Sequence, residues 1–243
     1  MLGVFGVVIC VEKVKQKKIN YFMTDEEAAI MWNASKKYPK LHIMIGFALF
    51  RGMRIGEICA INIYDFQNSG FQKLNIVLEK SHIQDEFPLL KEFSELLKEY
   101  VTKNMHTFKN GYMFPYYSST RKQHMSMESA GAFMSKLRKS LGKEHSCFLE
   151  RQIVKTKKGE QYRYRISWHS CRRWFETRIW ENYKDKMMLR DLMRYKDSKT
   201  VDVYINPYET WKKEMDILNS TFGGLFDNFN NVSKGQTKLN SYI

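Results

Sequence analysis

Arg172 and Tyr204, 32 residues apart, are the residues whose types and spacing point most directly to chemistry. Arg172 closes an H-x-x-R element in the run Trp168-His169-Ser170-Cys171-Arg172-Arg173, and Tyr204 lies in Val201-Asp202-Val203-Tyr204-Ile205. A tyrosine hydroxyl can attack a DNA phosphodiester covalently when cationic donors surround the phosphate. The attack places extra negative charge on the non-bridging oxygens, and arginine forks suit that charge because each gives two parallel charge-assisted hydrogen bonds. Arg54 and Lys80 are further cations upstream. A lysine can protonate the leaving 5′ oxygen, and His169 can serve the phenol, whose ordinary pKa is about 10, as an acid/base partner. Removing one such donor costs on the order of 100- to 1000-fold in rate. This chemistry calls for neither a metal nor a nucleotide cofactor, and none is expected.

The surrounding motifs extend the pattern. Leu49-Phe50-Arg51-Gly52-Met53-Arg54-Ile55-Gly56-Glu57-Ile58 resembles the first box, T-G-x-R-x-x-E-L, of the tyrosine recombinases, the family of phage and archaeal integrases and Xer-type resolvases. Arg51 stands where Thr is usual. The resemblance places Arg54 as the first catalytic arginine and Glu57 as the acid that orients the site. Glu79-Lys80-Ser81-His82, followed by Phe87-Pro88-Leu89, resembles the β-hairpin that bears the catalytic lysine, and His169 and Arg172 match the H-x-x-R box. Tyr204 matches the nucleophile and is preferred on spacing to Tyr195 and Tyr208. One slot departs from the pattern: the family usually has L-G-H nine residues before the nucleophile, whereas Leu192-Met193-Arg194-Tyr195-Lys196-Asp197 puts Tyr195, or Lys196 after a one-residue slip, in the His position. A phenol can still donate one hydrogen bond. Taken singly the boxes are weak, since R-x-x-E and H-x-x-R also occur as surface ion pairs or buried histidines. Their shared order and spacing carry the resemblance.

The elements that must position these residues can be read from periodicity. Thr24-Asp25-Glu26-Glu27 is a capping box opening a helix that continues over 28–35. An apolar helix covers 41–50, the Gly52-Met53-Arg54 stretch breaks it, and another begins near Arg54 and carries Glu57, Ile58 and Ile61. Residues 74–78 and 87–89 read as strands of a hairpin with a polar turn over 81–85, Lys80 lying near the end of the first strand. Phe93, Leu96, Leu97, Tyr100 and Val101 repeat at helical spacing, as do Phe133, Met134, Leu137 and Leu141 within a helix over 127–141. Residues 151–165 form a strongly basic hairpin turning at Lys157-Lys158-Gly159. Its Arg151, Lys155, Lys157, Lys158, Arg163 and Arg165 are candidate DNA-backbone contacts; a solvated, charge-protected edge is the alternative. Helices follow over 170–183 and 186–195, then a short one bearing Tyr204. An apolar cluster (Ile217, Leu218, Phe222, Leu225, Phe226) lies in the tail and can close the core or dock on a neighbouring protomer. The polar stretch after it is expected to be loosely ordered. Arg173, Arg178 and Arg190 read as contacts to DNA backbone or to acidic neighbours.

The bulk properties agree. With 243 residues, 43% of them apolar, the chain is long enough for one domain with a substantial core, and its net charge of +14 suits a polyanionic partner. Cys10, Cys59, Cys147 and Cys171 show neither zinc-ligand spacing nor a disulfide framework and read as reduced thiols. The apolar run at the start is too short to span a bilayer and lacks the layout of a signal peptide. The expected architecture is an α+β, mostly helical tyrosine recombinase catalytic domain with small antiparallel hairpins over 21–210, preceded by a stub (1–20) in place of a helical core-binding domain and followed by a tail (211–243). The resemblance implies site-specific recombination through a 3′-phosphotyrosyl intermediate, acting on double-stranded DNA with self-association on it. A separate core-binding fragment is a further expected partner. The expected location is the cytoplasm, with the nucleoid, or a virus or plasmid within a host cell. A silent DNA-binding remnant and a type IB topoisomerase-like activity are the rival readings.

Overall fold

The computed structural model describes residues 23–66, 69–77, 84–116, 124–156, 159–183, 185–194 and 207–232. Lys80, Lys157, Lys158, Tyr195, Lys196 and Tyr204 lie outside them, as does the side chain of Lys155.

Helix α1 (Asp25–Ser35) opens on the expected box: Thr24 Oγ1 accepts from the Glu27 amide at 3.2 Å, and Glu27 Oε2 accepts from the Thr24 amide at 2.9 Å. Helix α2 (Pro39–Phe50) follows, and every residue from Leu41 to Phe50 is buried. A helix apolar on all sides has to be surrounded, and α2 is central. It packs against α1, α4 (Lys91–Asn104) and α6 (Trp168–Tyr183). Gly46 permits the closest approach, since a Cβ there would stand 2.1 Å from Phe93. The chain then turns at Gly52, whose φ of +65° suits glycine, into the short helix α3 (Ile55–Cys59). Ile61, expected in that helix, lies beyond its end but is buried.

Two antiparallel hairpins flank the helices, and Leu74 and Phe87 of the first are buried in the core. Strands β1 (Lys73–Val77) and β2 (Gln84–Pro88) pair with Lys73 opposite Pro88 and Val77 opposite Gln84. The second strand therefore starts inside the stretch read as turn. Helix α5 (Met127–Leu141) precedes the basic hairpin of β3 (Arg151–Thr156) and β4 (Gly159–Tyr164), paired from Arg151–Tyr164 to Thr156–Gly159. The architecture is mostly helical with small antiparallel sheets, as expected.

Helix α7 (Lys186–Met193) stops two residues earlier than periodicity suggests, because Arg194 adopts φ 55°, ψ 48°. That left-handed conformation costs an L-residue roughly 1–2 kcal/mol, so side-chain bonds must offset it. The tail forms one long helix, α8 (Pro207–Val232), and residue 210 lies in its first turn. The helix runs past Phe226 into the stretch expected to be loosely ordered; once its apolar side is docked, each further turn costs only propagation. Residues 233–243 are outside the described part.

The tail cluster closes the core of its own chain. Phe222 stacks on Phe175 with centroids 5.1 Å apart, and Phe226 lies 5.0 Å from Phe50 and 5.6 Å from Trp32. Phe222→Ala should lower unfolding stability by about 3–5 kcal/mol in a denaturant titration, the usual cost of emptying a buried phenyl site. A second buried group makes the core acid-sensitive. The Ser35 hydroxyl donates to the Trp32 carbonyl at 2.6 Å and lies 2.8 Å from Nδ1 of His42, whose ring rests 3.7 Å from that of Trp32. Burial, reinforced by the charge of Lys36, lowers the His42 pKa to about 4. Folding thus favours the neutral ring. This contribution, on the order of 3 kcal/mol, is complete above the unfolded pKa near 6.5 and lost as pH falls toward 4. His42→Gln should flatten that part of the pH–stability profile.

Candidate active site

Arg54 sits at the N-cap of α3, where Glu57 holds it twice. Glu57 Oε2 accepts from the Arg54 amide at 2.8 Å and Oε1 accepts from Nη1 at 2.9 Å. The Glu57 side chain is 3% exposed and that of Arg54 26%, so a buried acid steers a partly exposed guanidinium. No other protein partner holds that guanidinium among the described residues. The expected role of Glu57 as an orienting acid therefore has a geometric basis.

Arg172 lies on the buried side of α6. Its Nη1 donates to the Gly52 carbonyl, its Nη2 donates to the Met193 carbonyl at 3.1 Å, and its Nε lies 3.4 Å from Glu176 Oε1. Gly52 is two residues before Arg54, so this contact brings the first box and the H-x-x-R box to one corner of the domain. A substituent at Gly52 would stand 2.6 Å from the Phe175 ring, so glycine serves the approach of α6 as well as the turn. His169 is one turn before Arg172 and Arg173, at the surface of α6. Partial burial of its ring and the charge of Arg173 lower its pKa; Glu176 opposes and Arg172 adds to the shift. An imidazole so shifted is neutral near pH 7 and able to accept a proton.

The carbonyls ending α7 converge on the same corner. Arg194 Nη1 donates to the Asp191 and Leu192 carbonyls at 2.8 and 3.1 Å, Arg51 Nη1 donates to Leu192 at 3.2 Å, and Arg172 takes Met193. Arg194 Nη2 also donates to the Glu86 carbonyl at 2.8 Å, which joins the base of the β1–β2 hairpin to the end of α7. Glu214 of α8 closes the group. Its Oε2 lies 3.4 Å from Arg51 Nη2, and its Oε1 accepts from Arg194 Nη1 at 3.2 Å. The Phe87 ring lies under both guanidiniums, at 4.6 Å from Arg51 and 4.8 Å from Arg194. Sequence reasoning missed Glu214 entirely. An isolated acid in a tail carries no signal, and only the oddity of Arg51 in a Thr slot hinted at a partner.

The basic hairpin divides. Arg151 and Arg163 are exposed, Arg151 Nη2 donating to the Tyr164 hydroxyl at 3.0 Å and Arg163 Nη2 to Gln161 Oε1 at 3.1 Å. Arg165 is a correction to the candidate DNA contacts. It is 7% exposed, its two terminal nitrogens grip the Glu27 carboxylate, and its Nε donates to Glu150 Oε2 at 2.7 Å. Burial would raise the Glu27 pKa, but bonds from Arg165 and the Thr24 amide reverse the shift and hold it below the usual carboxylate range. Arg165 thus joins the hairpin's root to α1 and faces no solvent. Arg178 pairs with Asp25 and Glu181, each at 2.9 Å, and Arg190 with Asp191 at 2.7 Å, the acidic-neighbour alternative for both. No group of three His, Cys, Asp or Glu residues converges as metal ligands among the described residues.

Residues 20–210 match the model of the phage integrase family, and the chain belongs to that family. Its fold is similar to three solved proteins. The integrase from mycobacterium phage Brujita has a TM-score of 0.55 at 16% identity, over 84% of this chain and 59% of that one. XerA recombinase has a TM-score of 0.55 at 14% identity, over 89% and 66%. The Tn1549 transposon integrase, in complex with circular intermediate DNA, has 0.52 at 18%, over 82% and 66%. The chain thus spans about three fifths to two thirds of the length of these proteins. No curated protein sequence matches it significantly. No helix among the described residues is long and apolar enough to cross a membrane.

Glu57→Ala should release both groups of Arg54 that it holds. Because one of the two bonds involves a charged donor, the expected loss of unfolding stability is about 1.5–3 kcal/mol, read by thermal or denaturant unfolding. Glu57→Gln, which keeps an acceptor, should recover part of it.

Proposed function

We propose that this chain is the catalytic part of a site-specific DNA recombinase that cuts and rejoins strands through a 3′-phosphotyrosyl intermediate. The observation that carries the reading is the bond from Arg172 to the Gly52 carbonyl, which sets the H-x-x-R helix against the turn leading to Arg54. Two arginines separated by over a hundred residues in sequence thereby serve one corner. Family membership supports the same reading.

In this mechanism Arg54 and Arg172 bind the non-bridging oxygens of the scissile phosphate. The Tyr204 hydroxyl attacks phosphorus, the bond to the 5′ oxygen breaks, and Lys80 delivers a proton to that oxygen. His169 accepts the phenolic proton, and Tyr195 donates an auxiliary hydrogen bond. The 5′ hydroxyl of a partner strand then attacks the phosphotyrosine and restores Tyr204. Arg151, Lys155, Lys157, Lys158 and Arg163 contact backbone phosphates, positioning the duplex without reading its sequence. The partner is double-stranded DNA, by analogy with the DNA-bound Tn1549 integrase, with self-association on it and a separate core-binding fragment as further partners. The protein works beside DNA in the cytoplasm of its host, whether virus-, plasmid- or chromosome-encoded.

The test is a pool of nicked suicide duplexes of randomised sequence, with protein-linked DNA recovered under denaturing conditions and sequenced. Wild type should yield a covalent adduct and Tyr204→Phe none. Arg172→Lys, which keeps charge but not the fork, should slow adduct formation about 100- to 1000-fold. Lys80→Ala should be slow on ordinary DNA and regain speed on DNA with a 5′-sulfur leaving group, which needs no proton. No adduct from wild type on any duplex would favour the silent remnant. Relaxation of supercoils without strand exchange would favour the topoisomerase-like alternative.

A further inference from the structure

We infer, on the reading that the partner is duplex DNA, that Arg151, Lys139 and the Tyr164 hydroxyl form a built site for one backbone phosphate, backed by the buried guanidinium of Arg138. Among the described residues four arginines are buried: Arg51, Arg138, Arg165 and Arg172. Three face a carboxylate, Arg51 that of Glu214, Arg165 that of Glu27 and Arg172 that of Glu176. Arg138 faces none among the described residues. Its Nη1 donates to the Ile166 carbonyl at 3.0 Å, its Nε has no hydrogen-bond partner among the described residues, and its Cζ lies 3.6 Å from the centre of the Tyr164 ring. Arg151, the first residue of β3, meets the same ring at 4.8 Å, and its Nη2 donates to the Tyr164 hydroxyl at 3.0 Å. It too has no carboxylate partner among the described residues. Lys139 follows Arg138 in the last turn of α5. The bond from Arg151 lowers the Tyr164 pKa; burial opposes the shift, and the charges of Arg151, Arg138 and Lys139 add to it. Three cations thus surround one phenol with no acid to balance them. A buried charge without a counter-ion is costly, and clustered like charges raise the local potential for an anion. A phosphodiester supplies the missing charge, and the Arg151 fork and the phenol O–H are donors for its oxygens.

A second observation lies on the same face of the hairpin. Side chains alternate along a strand, so the pairs Arg151–Tyr164 and Ile153–Tyr162 project to one side. Ile153 and Tyr162 are 55% and 72% exposed, an apolar pair presented to solvent one step beyond the cations. The next pair on that face, Lys155–Glu160, carries one charge of each sign and leaves the excess positive. Apolar side chains beside a phosphate site fit the deoxyribose rings that flank every backbone phosphate, and burial against them removes apolar surface from water. A protein surface would cover the apolar pair equally well, but three cations without an acid call for a polyanion.

The experiment titrates the full chain against an intact duplex of arbitrary sequence by fluorescence anisotropy, from about 50 to 200 mM salt. Melting temperature and sedimentation of the free protein accompany each titration. Arg151→Gln and Lys139→Gln should each weaken binding and flatten the plot of log affinity against log salt. Because both serve one phosphate, the double variant should flatten it by about 0.9 in all, where two separate phosphates would give about 1.8. Tyr164→Phe, which keeps the ring beside Arg138, should lower affinity about tenfold with the slope unchanged. Ile153→Ser combined with Tyr162→Ser should also weaken binding about tenfold at every salt concentration. Arg151, Lys139, Ile153 and Tyr162 are exposed, so melting temperatures should stay close to wild type. A slope change of about 1.8 in the double variant, unchanged affinity in Tyr164→Phe, or affinity losses matched by losses of melting temperature would overturn the site. Normal DNA affinity with altered self-association in the apolar-pair variant would give that pair to a second copy of the chain and overturn its contact with DNA. Wild type that binds no duplex at any salt would overturn the DNA reading itself, whereas salt-dependent wild-type binding that the variants leave intact would overturn this site alone.

Discussion

The carbonyl groups at the end of α7 are the constraint on which the rest of the corner depends. A helix terminus leaves its last carbonyls without intrahelical donors, and the negative end of the helix dipole gathers there. In this domain three arginines from three places in the chain answer them: Arg51 after α2, Arg172 in α6 and Arg194 at the cap itself. Charged donors to a partly buried carbonyl are strong and directional. Satisfying this one terminus therefore fixes the relative positions of the first box, the H-x-x-R helix and the entry to the tyrosine segment. The packing of these elements and the capping of the helix are here the same set of bonds.

A strongly basic chain might be expected to keep its arginines outside for a polyanion. The structure divides them. Arg165 with Glu27, and Arg51 with Arg194 and Glu214, lie inside as ion clusters that join elements far apart in sequence, the exposed Glu150 reaching Arg165 from the surface. Arg151 and Arg163 remain on the exposed hairpin. Arg138 is intermediate in character: it is buried, bonded to the Ile166 carbonyl, and lies 3.6 Å from the Tyr164 ring that Arg151 also contacts. Buried pairs of this kind are poor sources of stability, since desolvation offsets much of their attraction. They are better suited to fixing which surfaces meet.

Much of this was legible in the sequence because it depends on local periodicity. The capping box at Thr24, the apolar α2, the break at Gly52 and both hairpins follow from residue spacing alone, and the boxes around Arg54 and Arg172 identified their corner. Boundaries were less legible where a tertiary bond decides them. Helix α7 stops at Met193 because Arg194 turns back to hold carbonyls and Glu214, which no helical pattern encodes. The inward turn of Arg165 was equally hidden: alternation in β4 puts Tyr164 and Arg165 at the hairpin's root, but only the location of Glu27 in space decides that the guanidinium faces in. Glu27 had already been assigned to a cap, and a single carboxylate serving both partners is a coincidence of folding. The docking of the tail on its own core, as opposed to a neighbour's, likewise depends on reach and not on composition.

The placement of α8 also sets an order of events during synthesis. The aromatic centre of the domain, where Phe50, Trp174 and Phe175 meet, is completed by Phe222 and Phe226, which leave the ribosome after every residue of the arginine corner has been made. Until they arrive, a nascent chain already containing all of its arginines has an open apolar seam. The core of the domain is therefore completed by a long-range contact, when α8 docks on residues translated well before it.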